Sequence, residues 1–431
     1  MKALHIIFWS IIVLSINAQS SYFPPITGNE WETVDPSTLN WCADGIKALD
    51  EFLLEKGTKG FIVLKNGKIV KETYFDSFNK DSIWYWASAG KSITSFLTGM
   101  AQEKGILKIT DKTSKYLGEG WTNLTSEQES KITIWHQLSM TSGLDDSIDD
   151  LNCMLPECLT YRADAGQRWA YHNAPYLLLH NVIAEAWGKS YQNFMNTQLT
   201  IKTGIGGLWV DGVLYSKPRN MARFGLLVLN DGTWNGQRIL QDQNYMQSMR
   251  VPSQSLNKSY GLLWWLNGQE SFLLPGVQLP FNRALVPDAP SDMYCALGKN
   301  DQKIYVIPSQ NMVVVRVGNS AGELAGTLSS FDNQLWKKIN GLTCTSSTDE
   351  QFSADIKVYP NPFKDQVEII ANENILGAEV SILSTNGNLV YQGKFNRDSL
   401  NNAMRVMSSG VYFIRLTNKN GVLITKKVVK Y

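Results

Sequence analysis

The chain has 431 residues, of which 43% are hydrophobic and 18% are charged. This composition supports a large packed core and argues against intrinsic disorder, and the length allows two or three domains. The formal net charge of +1 at pH 7 provides no general basic surface, so neither nucleic acid nor an anionic membrane is expected as a partner.

The first residues have the pattern of an export signal. Lys2 provides a positive charge, residues 3–16 are mostly apolar, and Ala18 is a small residue at a suitable cleavage position. The apolar run is shorter than the roughly 20 residues that a spanning helix needs. Residues 1–18 are therefore predicted to be a cleaved signal peptide, and no transmembrane segment is expected in the mature protein.

Five cysteines fit the oxidising environment that an exported protein meets. Cys153 and Cys158 are close in sequence and are predicted to form a disulfide. Cys42 and Cys344 flank the central part of the chain and are a second candidate pair, which leaves Cys295 free. Because the number of cysteines is odd, other pairings are open at this point.

The predicted elements of the central part begin with a hairpin. Residues 61–74 form two strand-like runs around Asn66-Gly67, a strong signal for a two-residue turn. From Ser88, apolar residues recur at helical spacing until Lys104-Gly105 provides a stop. Further helices are predicted at 174–187 and 323–339, and strands at 260–266, 303–307 and 312–317.

The composition changes near residue 343. Residues 343–354 are small and polar and are predicted to be a linker. After them come short strand-like runs, with turn signals at Asn386-Gly387 and Asn420-Gly421. This spacing predicts a small all-β sandwich over residues 355–431.

The first chemical motif is Ser88-Ala89-Gly90-Lys91, an S-x-x-K element at the start of the predicted helix. The spacing places Ser88 and Lys91 on one face, one turn apart. A lysine there can stabilise the serine alkoxide or accept its proton, and the helix N-terminus is positive where an oxyanion forms. The motif alone has little specificity, because an isolated match usually marks an ordinary surface helix.

Two further elements favour Ser88 as a nucleophile. Tyr171-His172-Asn173 is a Y-x-N element, in which a tyrosine near a lysine ammonium can act as a phenolate and transfer the serine proton. Asn173 can hold Lys91 or a substrate amide by hydrogen bonds. Residues 294–308 contain a glycine-bearing strand, which can donate a backbone N–H to the oxyanion.

In this order, the three elements resemble the serine β-lactamase-related family, close to class C β-lactamases, penicillin-binding esterases and nylon-oligomer hydrolases. Residues 132–144 and 219–240 also resemble segments of that family, and the resemblance covers about residues 50–340. The hydrolase domain is placed at 27–342. The family implies an α+β fold, in which an antiparallel sheet is flanked by helices and accompanied by a helical lobe.

The resemblance also implies a role for each matching residue. Ser88 is the implied nucleophile, Lys91 and Tyr171 are the proton-transferring pair, and Asn173 is a supporting group. The family's oxyanion hole consists of two backbone N–H groups, which correspond here to Ser88 and Lys299. No cofactor is expected.

One departure from the family pattern concerns substrate choice. Penicillin-recognising members carry a lysine or histidine two residues before the third-motif glycine, and this chain has Ala296 before Gly298. Alanine cannot attract the carboxylate of a β-lactam or of a peptide terminus. An ester or amide hydrolase is therefore favoured, although Lys299 is an alternative partner for a carboxylate.

Other candidate residues are weaker. Ser320 lies in a G-x-S-x-G string, but the fold that uses this string needs a later histidine, and the last one is His180. His136 and His180 fall in apolar helical patterns and are predicted to be packed or surface groups, while His172 is a candidate pocket residue. No histidine, cysteine or carboxylate cluster has zinc spacing, so no metal is expected.

The tail resembles the type A C-terminal sorting domain of the type IX secretion system. The resemblance depends on YPNPF at 359–363, GVYFIRL at 410–416 and the basic end of the chain. It implies a Gram-negative source, passage through the periplasm, and release or attachment at the cell surface. The secretion machinery is then the macromolecular partner of residues 355–431.

The sequence thus predicts a secreted serine hydrolase that cleaves an ester or amide bond in a small molecule through an acyl-enzyme on Ser88. Two other functions stay open. A β-lactamase or D-amino-acid peptidase shares the acylation step but needs a carboxylate anchor. A catalytically silent binding protein keeps the fold without turnover.

Overall fold

The computed structural model describes residues 21–325, 328–343, 357–370, 378–418 and 421–431. The chain divides into two units between Leu342 and Thr343. The predicted signal peptide, most of the predicted linker and Cys344 lie outside the described residues. No helix in the described part is long and apolar enough to cross a membrane.

The first unit contains both helices and strands. Its helices are α1 (Ala43–Glu55), α2 (Gly90–Glu103), α3 (Ser114–Leu117), α4 (Ser126–Glu129), α5 (Ile134–Leu138), α6 (Asn173–Trp187), α7 (Tyr191–Met195), α8 (Ile201–Thr203), α9 (Pro218–Leu229), α10 (Gln243–Met249) and α11 (Ser330–Asn340). Its strands are β1 (Thr58–Lys65), β2 (Lys68–Tyr74), β3 (Trp84–Tyr85), β4 (Leu208–Val210), β5 (Val213–Ser216), β6 (Thr233–Trp234), β7 (Gln237–Arg238), β8 (Trp265–Leu266), β9 (Phe272–Leu274), β10 (Val277–Phe281), β11 (Tyr294–Gly298), β12 (Gln302–Ile307), β13 (Met312–Gly318), β14 (Leu324–Ala325) and β15 (Leu328–Ser329).

Six strands form the main sheet, in the order β2-β1-β13-β12-β11-β8, and every pair is antiparallel. The predicted hairpin joins β1 to β2, with Asn66 and Gly67 both at positive φ as its two-residue turn requires. The predicted strand pair is present as β12 and β13. Since β1, β12 and β13 are almost wholly buried, helices must cover both faces of the sheet.

Side-chain alternation along β12 assigns these helices to opposite faces. Ile304 lies on the face that α9 covers, where a Cβ on Gly225 would be 3.1 Å from Ile304 Cγ2 and 2.4 Å from Val313 Cγ1. The neighbouring Tyr305 lies on the other face and packs edge-on against Trp336 of α11, with ring centroids 5.9 Å apart. The arrangement is the predicted α+β fold, with an antiparallel sheet between helices.

A smaller group of helices lies beside the sheet. Its apolar core includes Trp121, Ile132, Leu144, Leu159 and Leu178, all buried. Helix α6, predicted at 174–187 and observed from Asn173, also contacts α2, α3 and α5. This helix therefore connects the helical lobe to the helix that begins at the S-x-x-K motif.

Two predicted elements differ from the structure. The strand predicted at 260–266 is present only as β8, because the chain folds back there: Gly261 N donates to Trp264 O, and Leu263 has a positive φ of 59°. The helix predicted at 323–339 begins at Ser330, where a capping box formed by Ser329 and Asp332 starts it.

The second unit contains a four-stranded antiparallel sheet in the order β19-β18-β20-β21 and a separate pair, β16-β17. Its strands are β16 (Lys357–Tyr359), β17 (Glu368–Ile370), β18 (Glu379–Ser384), β19 (Leu389–Lys394), β20 (Gly410–Asn418) and β21 (Gly421–Lys430). The sequence predicted an all-β sandwich here, and the C-terminal strands form a sheet. A helix that the sequence analysis missed, α12 (Arg397–Arg405), contributes Leu400 and Met404 to the core of this unit.

The described cysteines occupy three environments. Cys153 and Cys158 form the predicted disulfide. Cys42 is also disulfide-bonded, and its predicted partner Cys344 lies outside the described residues. Cys295 is free and buried on β11.

Candidate active site

Ser88 lies in a single 3-10 turn, Ala87–Ala89, directly before α2. The preceding residue, Trp86, is fully buried and fixes the turn. Its backbone N–H donates to Leu214 O at 2.8 Å, and its indole N–H donates to Ser216 Oγ at 2.7 Å. Ala87 adopts a positive φ of 47°, an uncommon conformation for a residue other than glycine. The half-buried Ser88 side chain is thus presented at the N-terminus of α2.

Lys91 contacts Ser88 directly. Its Nζ donates a hydrogen bond to Ser88 Oγ at 3.0 Å, and the side chain is buried, with 3% of its surface exposed. The ammonium also lies 4.5 Å from the ring centroid of Tyr176 and 5.0 Å from that of Tyr171. Among the described residues no carboxylate forms an ion pair with it. Burial without a counter-charge lowers the pKa of Lys91 to about 7.

Tyr171 lies beside this pair, within an aromatic cluster. Its ring stacks on Trp265 at 5.7 Å and meets Tyr260 edge-on at 6.1 Å. Burial raises the pKa of the Tyr171 phenol, and a hydrogen bond with Ser88 only partly opposes this shift. The phenol is therefore protonated at rest, which differs from the phenolate that the sequence analysis anticipated.

The glycine-bearing strand β11 ends against the serine turn. A Cβ on Gly298 would be 2.4 Å from Trp86 O and 3.1 Å from Ala89 N, so only glycine permits this close approach. The next residue, Lys299, therefore follows immediately beside Ser88. Ala296, two residues earlier, is buried with 1% of its surface exposed.

The turn after Lys299 is held in an unusual conformation. Asn300 and Asp301 both have positive φ, at 58° and 59°. Arg316, fully buried on β13, donates to the carbonyl oxygens of both residues at 3.0 and 3.1 Å. Asn300 also donates to Tyr85 Oη at 2.9 Å. These bonds fix the direction in which the chain leaves β11.

Asn173, the first residue of α6, lies beside the disulfide loop. Its Nδ2 donates to Asn152 Oδ1 at 3.1 Å, and its buried Oδ1 has no hydrogen-bond partner among the described residues. The backbone contributes a second link, in which Ala174 N donates to Leu151 O at 2.9 Å. Asn152 directly precedes Cys153, so the segment that contacts the predicted Y-x-N element leads into the loop that the disulfide closes.

Four predicted residues line one cavity of about 250 Å³, namely Ser88, Lys91, Asn173 and Lys299. Tyr171 completes the set through its contacts with Lys91 and Ser88. The sequence analysis missed three polar residues among the rest of the lining, Asn152, Tyr176 and Asp211. Tyr176 had a usable signal, since it lies one helical turn after Asn173 on the same face. Asp211 had none, because its position depends on the β4–β5 hairpin.

The other residues considered as catalytic or ligand candidates lie away from the cavity or have a packing or capping role. Ser320 is exposed in the loop after β13 and does not line the cavity. His136 completes the capping box of α5, and His180 stacks on Tyr191 with centroids 4.0 Å apart. His172 is buried, which lowers its pKa to about 4. In the described part of the chain no group of three or more potential ligands is placed to bind a metal.

The fold and this arrangement define a class. An antiparallel sheet between helices, a helical lobe, and a serine–lysine pair at a helix start together form the serine β-lactamase and penicillin-binding-protein fold. Residues 53–211 match the model of the β-lactamase family, and residues 357–431 match the model of the secretion system C-terminal sorting domain. Residues 53–211 are thus similar to the β-lactamase family, and residues 357–431 are similar to a C-terminal sorting domain.

Individual proteins are also similar to this chain, and the solved structures among them share its fold. An uncharacterized protein of Alkalihalophilus pseudofirmus is 24% identical over 324 residues, which cover 65% of this chain and 89% of that protein. A candidate 6-aminohexanoate-dimer hydrolase of Bacillus anthracis has a TM-score of 0.53 at 20% identity and covers 68% of this chain and 80% of its own. A β-lactamase/D-alanine carboxypeptidase of Yersinia pestis has a TM-score of 0.51 at 16% identity and covers 71% and 98%.

The sorting domain also fixes the location of the protein. Domains of this kind direct export through the type IX secretion system, so the protein is secreted or displayed at the cell surface. The cysteine chemistry agrees with this location, because disulfides persist in oxidising environments.

Proposed function

We propose that this protein is a serine hydrolase that cleaves an ester or amide bond through an acyl-enzyme on Ser88. The observation that carries the proposal is the 3.0 Å contact between Lys91 Nζ and Ser88 Oγ, in a buried site without a counter-charge. A lysine with a pKa of about 7 is substantially neutral at physiological pH, so it can accept the serine proton.

The catalytic cycle follows from these positions. Lys91 accepts the proton as Ser88 Oγ attacks the carbonyl carbon, and the backbone N–H groups of Ser88 and Lys299 stabilise the oxyanion. Tyr171 gives its phenolic proton to the leaving group as that group departs and recovers a proton from Lys91. A water molecule, deprotonated by the same pair, then attacks the acyl carbon and restores free Ser88. Asn173 offers its unpaired Oδ1 to a substrate N–H.

The charges at the cavity favour an ester or amide over a β-lactam. The buried Ala296 provides no cation, and Lys299 and Asp211 are the exposed charged residues of the lining. Lys299 is the feature that would support a β-lactamase or a D-amino-acid peptidase, because its ammonium can bind a carboxylate. Nitrocefin therefore belongs in the same screen as nitrophenyl acetate, with Lys299→Ala as the variant that tests this anchor.

A fluorophosphonate probe tests the nucleophile. We expect the probe to label the mature protein at Ser88, and Ser88→Ala to lose both labelling and nitrophenyl acetate hydrolysis. Ser320→Ala is the matched control and retains both, because Ser320 lies outside the cavity. Labelling that disappears with Ser320→Ala would overturn the assignment, and a folded protein that neither labels nor hydrolyses any ester would be the catalytically silent alternative.

A further inference from the structure

A small three-stranded sheet lies beside Ser88, in the order β3-β5-β4. Tyr85 pairs with Tyr215, which pairs with Leu208, and Val213 pairs with Val210. Paired residues point to the same side, and residues two apart on one strand do so as well. One face of this sheet is therefore formed by apolar and aromatic side chains, and Trp86 and Leu214 lie on the buried opposite face.

The apolar face is open to solvent. Leu208 is 59% exposed, Val210 is 44% exposed and Tyr215 is 38% exposed. Together with Ile83, which is 64% exposed, they line a groove of about 600 Å³. A volume of this size is typical of small-molecule sites, which are lined mainly by apolar side chains. The groove is thus suited to the hydrocarbon part of a ligand.

The groove and the Ser88 cavity are lined by neighbouring residues of the β4–β5 hairpin. Val213 lines the cavity, its partner Val210 lines the groove, and Tyr215 lies two residues further along the same face of β5. Two strand residues correspond to roughly 7 Å. Tyr85 lies between a residue of the groove and the turn after the cavity residue Lys299, since its ring lies 6.4 Å from that of Tyr215 and its hydroxyl accepts a bond from Asn300.

We propose that this groove binds a hydrocarbon chain of the substrate, so that the protein prefers esters with a medium-length or long aliphatic group. The proposal builds on the proposed function, since the chain extends from a carbonyl carbon positioned at Ser88. A linear chain fits better than a bulky group, because the Ser88 cavity is small and the groove continues along β5. The shared chemistry is an aliphatic chain, attached through either the acyl or the alcohol side of the ester.

Chain-length dependence tests this inference. The values of kcat/KM are measured on the mature full-length protein, each below the solubility limit of the ester. One series contains nitrophenyl alkanoates from acetate to dodecanoate, and the other contains acetate esters of alcohols of increasing length. We expect kcat/KM to rise roughly fourfold per added methylene in one series, until the groove is filled. The series that responds identifies which side of the ester occupies the groove.

Two substitutions test whether the chain-length preference depends on the groove. Leu208→Ser should lower kcat/KM for the decanoate ester about tenfold and leave the acetate ester unchanged, because acetate does not reach the groove. Leu54→Ser is a matched control: Leu54 is 56% exposed on α1 and does not line the groove. We expect Leu54→Ser to leave both values unchanged.

Binding provides a readout that does not require turnover. In the Ser88→Ala variant, calorimetry should detect decanoate but not butyrate, and Leu208→Ser in that background should weaken decanoate binding about tenfold. Acetate hydrolysis at Ser88 without chain-length dependence would overturn the proposal that the groove binds a hydrocarbon chain, and it would leave the proposed function intact. Decanoate binding in a protein that hydrolyses no ester would support the groove as a binding site and contradict the proposed function. A change in oligomeric state caused by Leu208→Ser, with chain preference unaltered, would make the groove an interface between copies.

Discussion

At the scale of single residues, the state of Lys91 decides how the site works. A buried ammonium without a counter-charge is unfavourable. Burial, with no carboxylate partner among the described residues, therefore lowers the pKa of Lys91 to about 7. The neighbouring phenol is shifted in the opposite direction, since burial also disfavours its charged form. Above pH 7 the pair is therefore mainly a neutral amine, which can accept a proton, and a neutral phenol, which can donate one.

This state predicts a pH profile. The pKa of Lys91 is lowered from 10.5 to about 7, so the neutral amine predominates above that pH and the ammonium below it. We expect kcat/KM for nitrophenyl acetate to rise about tenfold per pH unit below 7 and to level off above it. His172 and His180 do not interfere, because burial lowers their pKa values to about 4 and about 3.

Lys91→Met is the control for this profile. It retains most of the side-chain volume without the amine, and we expect activity to fall roughly 10²–10⁴-fold with no remaining inflection near pH 7. A wild-type rate that falls as pH rises through 7 would contradict the neutral-base assignment, because it would mean that the ammonium is the active form.

At the scale of elements, the segment before the Cys153–Cys158 disulfide and the start of α6 together form one wall of the cavity. The Cys153–Cys158 disulfide closes a short loop directly after Asn152, which lines the cavity, and Leu151 O accepts the bond from Ala174 N at the start of α6. Closing so short a loop contributes about 2 kcal/mol at most in the chain-entropy view. Its main consequence is therefore local order beside Asn173.

Replacing both cysteines, as Cys153→Ser with Cys158→Ser, tests this role. We expect KM for ester substrates to rise about three- to tenfold with kcat changed less than twofold, since the Ser88 turn is anchored separately by Trp86. Asn152→Ala in the intact loop should reproduce the change in KM without lowering the melting temperature. If the double variant melts at a lower temperature but has an unaltered KM, the disulfide stabilises the fold and does not shape the cavity.

The secondary-structure elements also differ in how well the sequence predicted them. Local signals were reliable: Asn66-Gly67 identified the β1–β2 hairpin, and the S-x-x-K spacing identified a serine and a lysine one turn apart. The fold-back at 260–266 was missed, because apolar and aromatic residues in a buried turn have the composition of a strand. The β3-β5-β4 face was also missed, since β3 pairs with β5 from a segment more than 100 residues away. Asp211 was missed as well, because that pairing brings the β4–β5 hairpin beside Ser88.

At the scale of the whole molecule, the two units have separate cores. The largest apolar cluster contains residues from Trp31 to Leu342, and the cluster of the second unit contains residues from Phe363 to Val428. The cavity residues all belong to the first unit. The sorting domain and the proposed active site thus lie in different units of the chain.

Truncation tests this separation. A chain that ends at residue 345 keeps Cys344, the predicted partner of Cys42, and lacks the second unit. We expect it to fold and to hydrolyse nitrophenyl acetate within about twofold of the mature protein, as measured by circular dichroism and initial rates. A truncated chain that is folded but inactive would assign the second unit a part in catalysis.

The buried thiol of Cys295 can be used to measure local unfolding of the main sheet. The residue lies on β11 between β8 and β12, and burial raises the pKa of its thiol. Alkylating reagents react with an accessible thiolate, so they reach this position only in molecules whose main sheet has separated. The rate at which Cys295 is alkylated thus measures kinetic stability on the strand that ends beside Ser88.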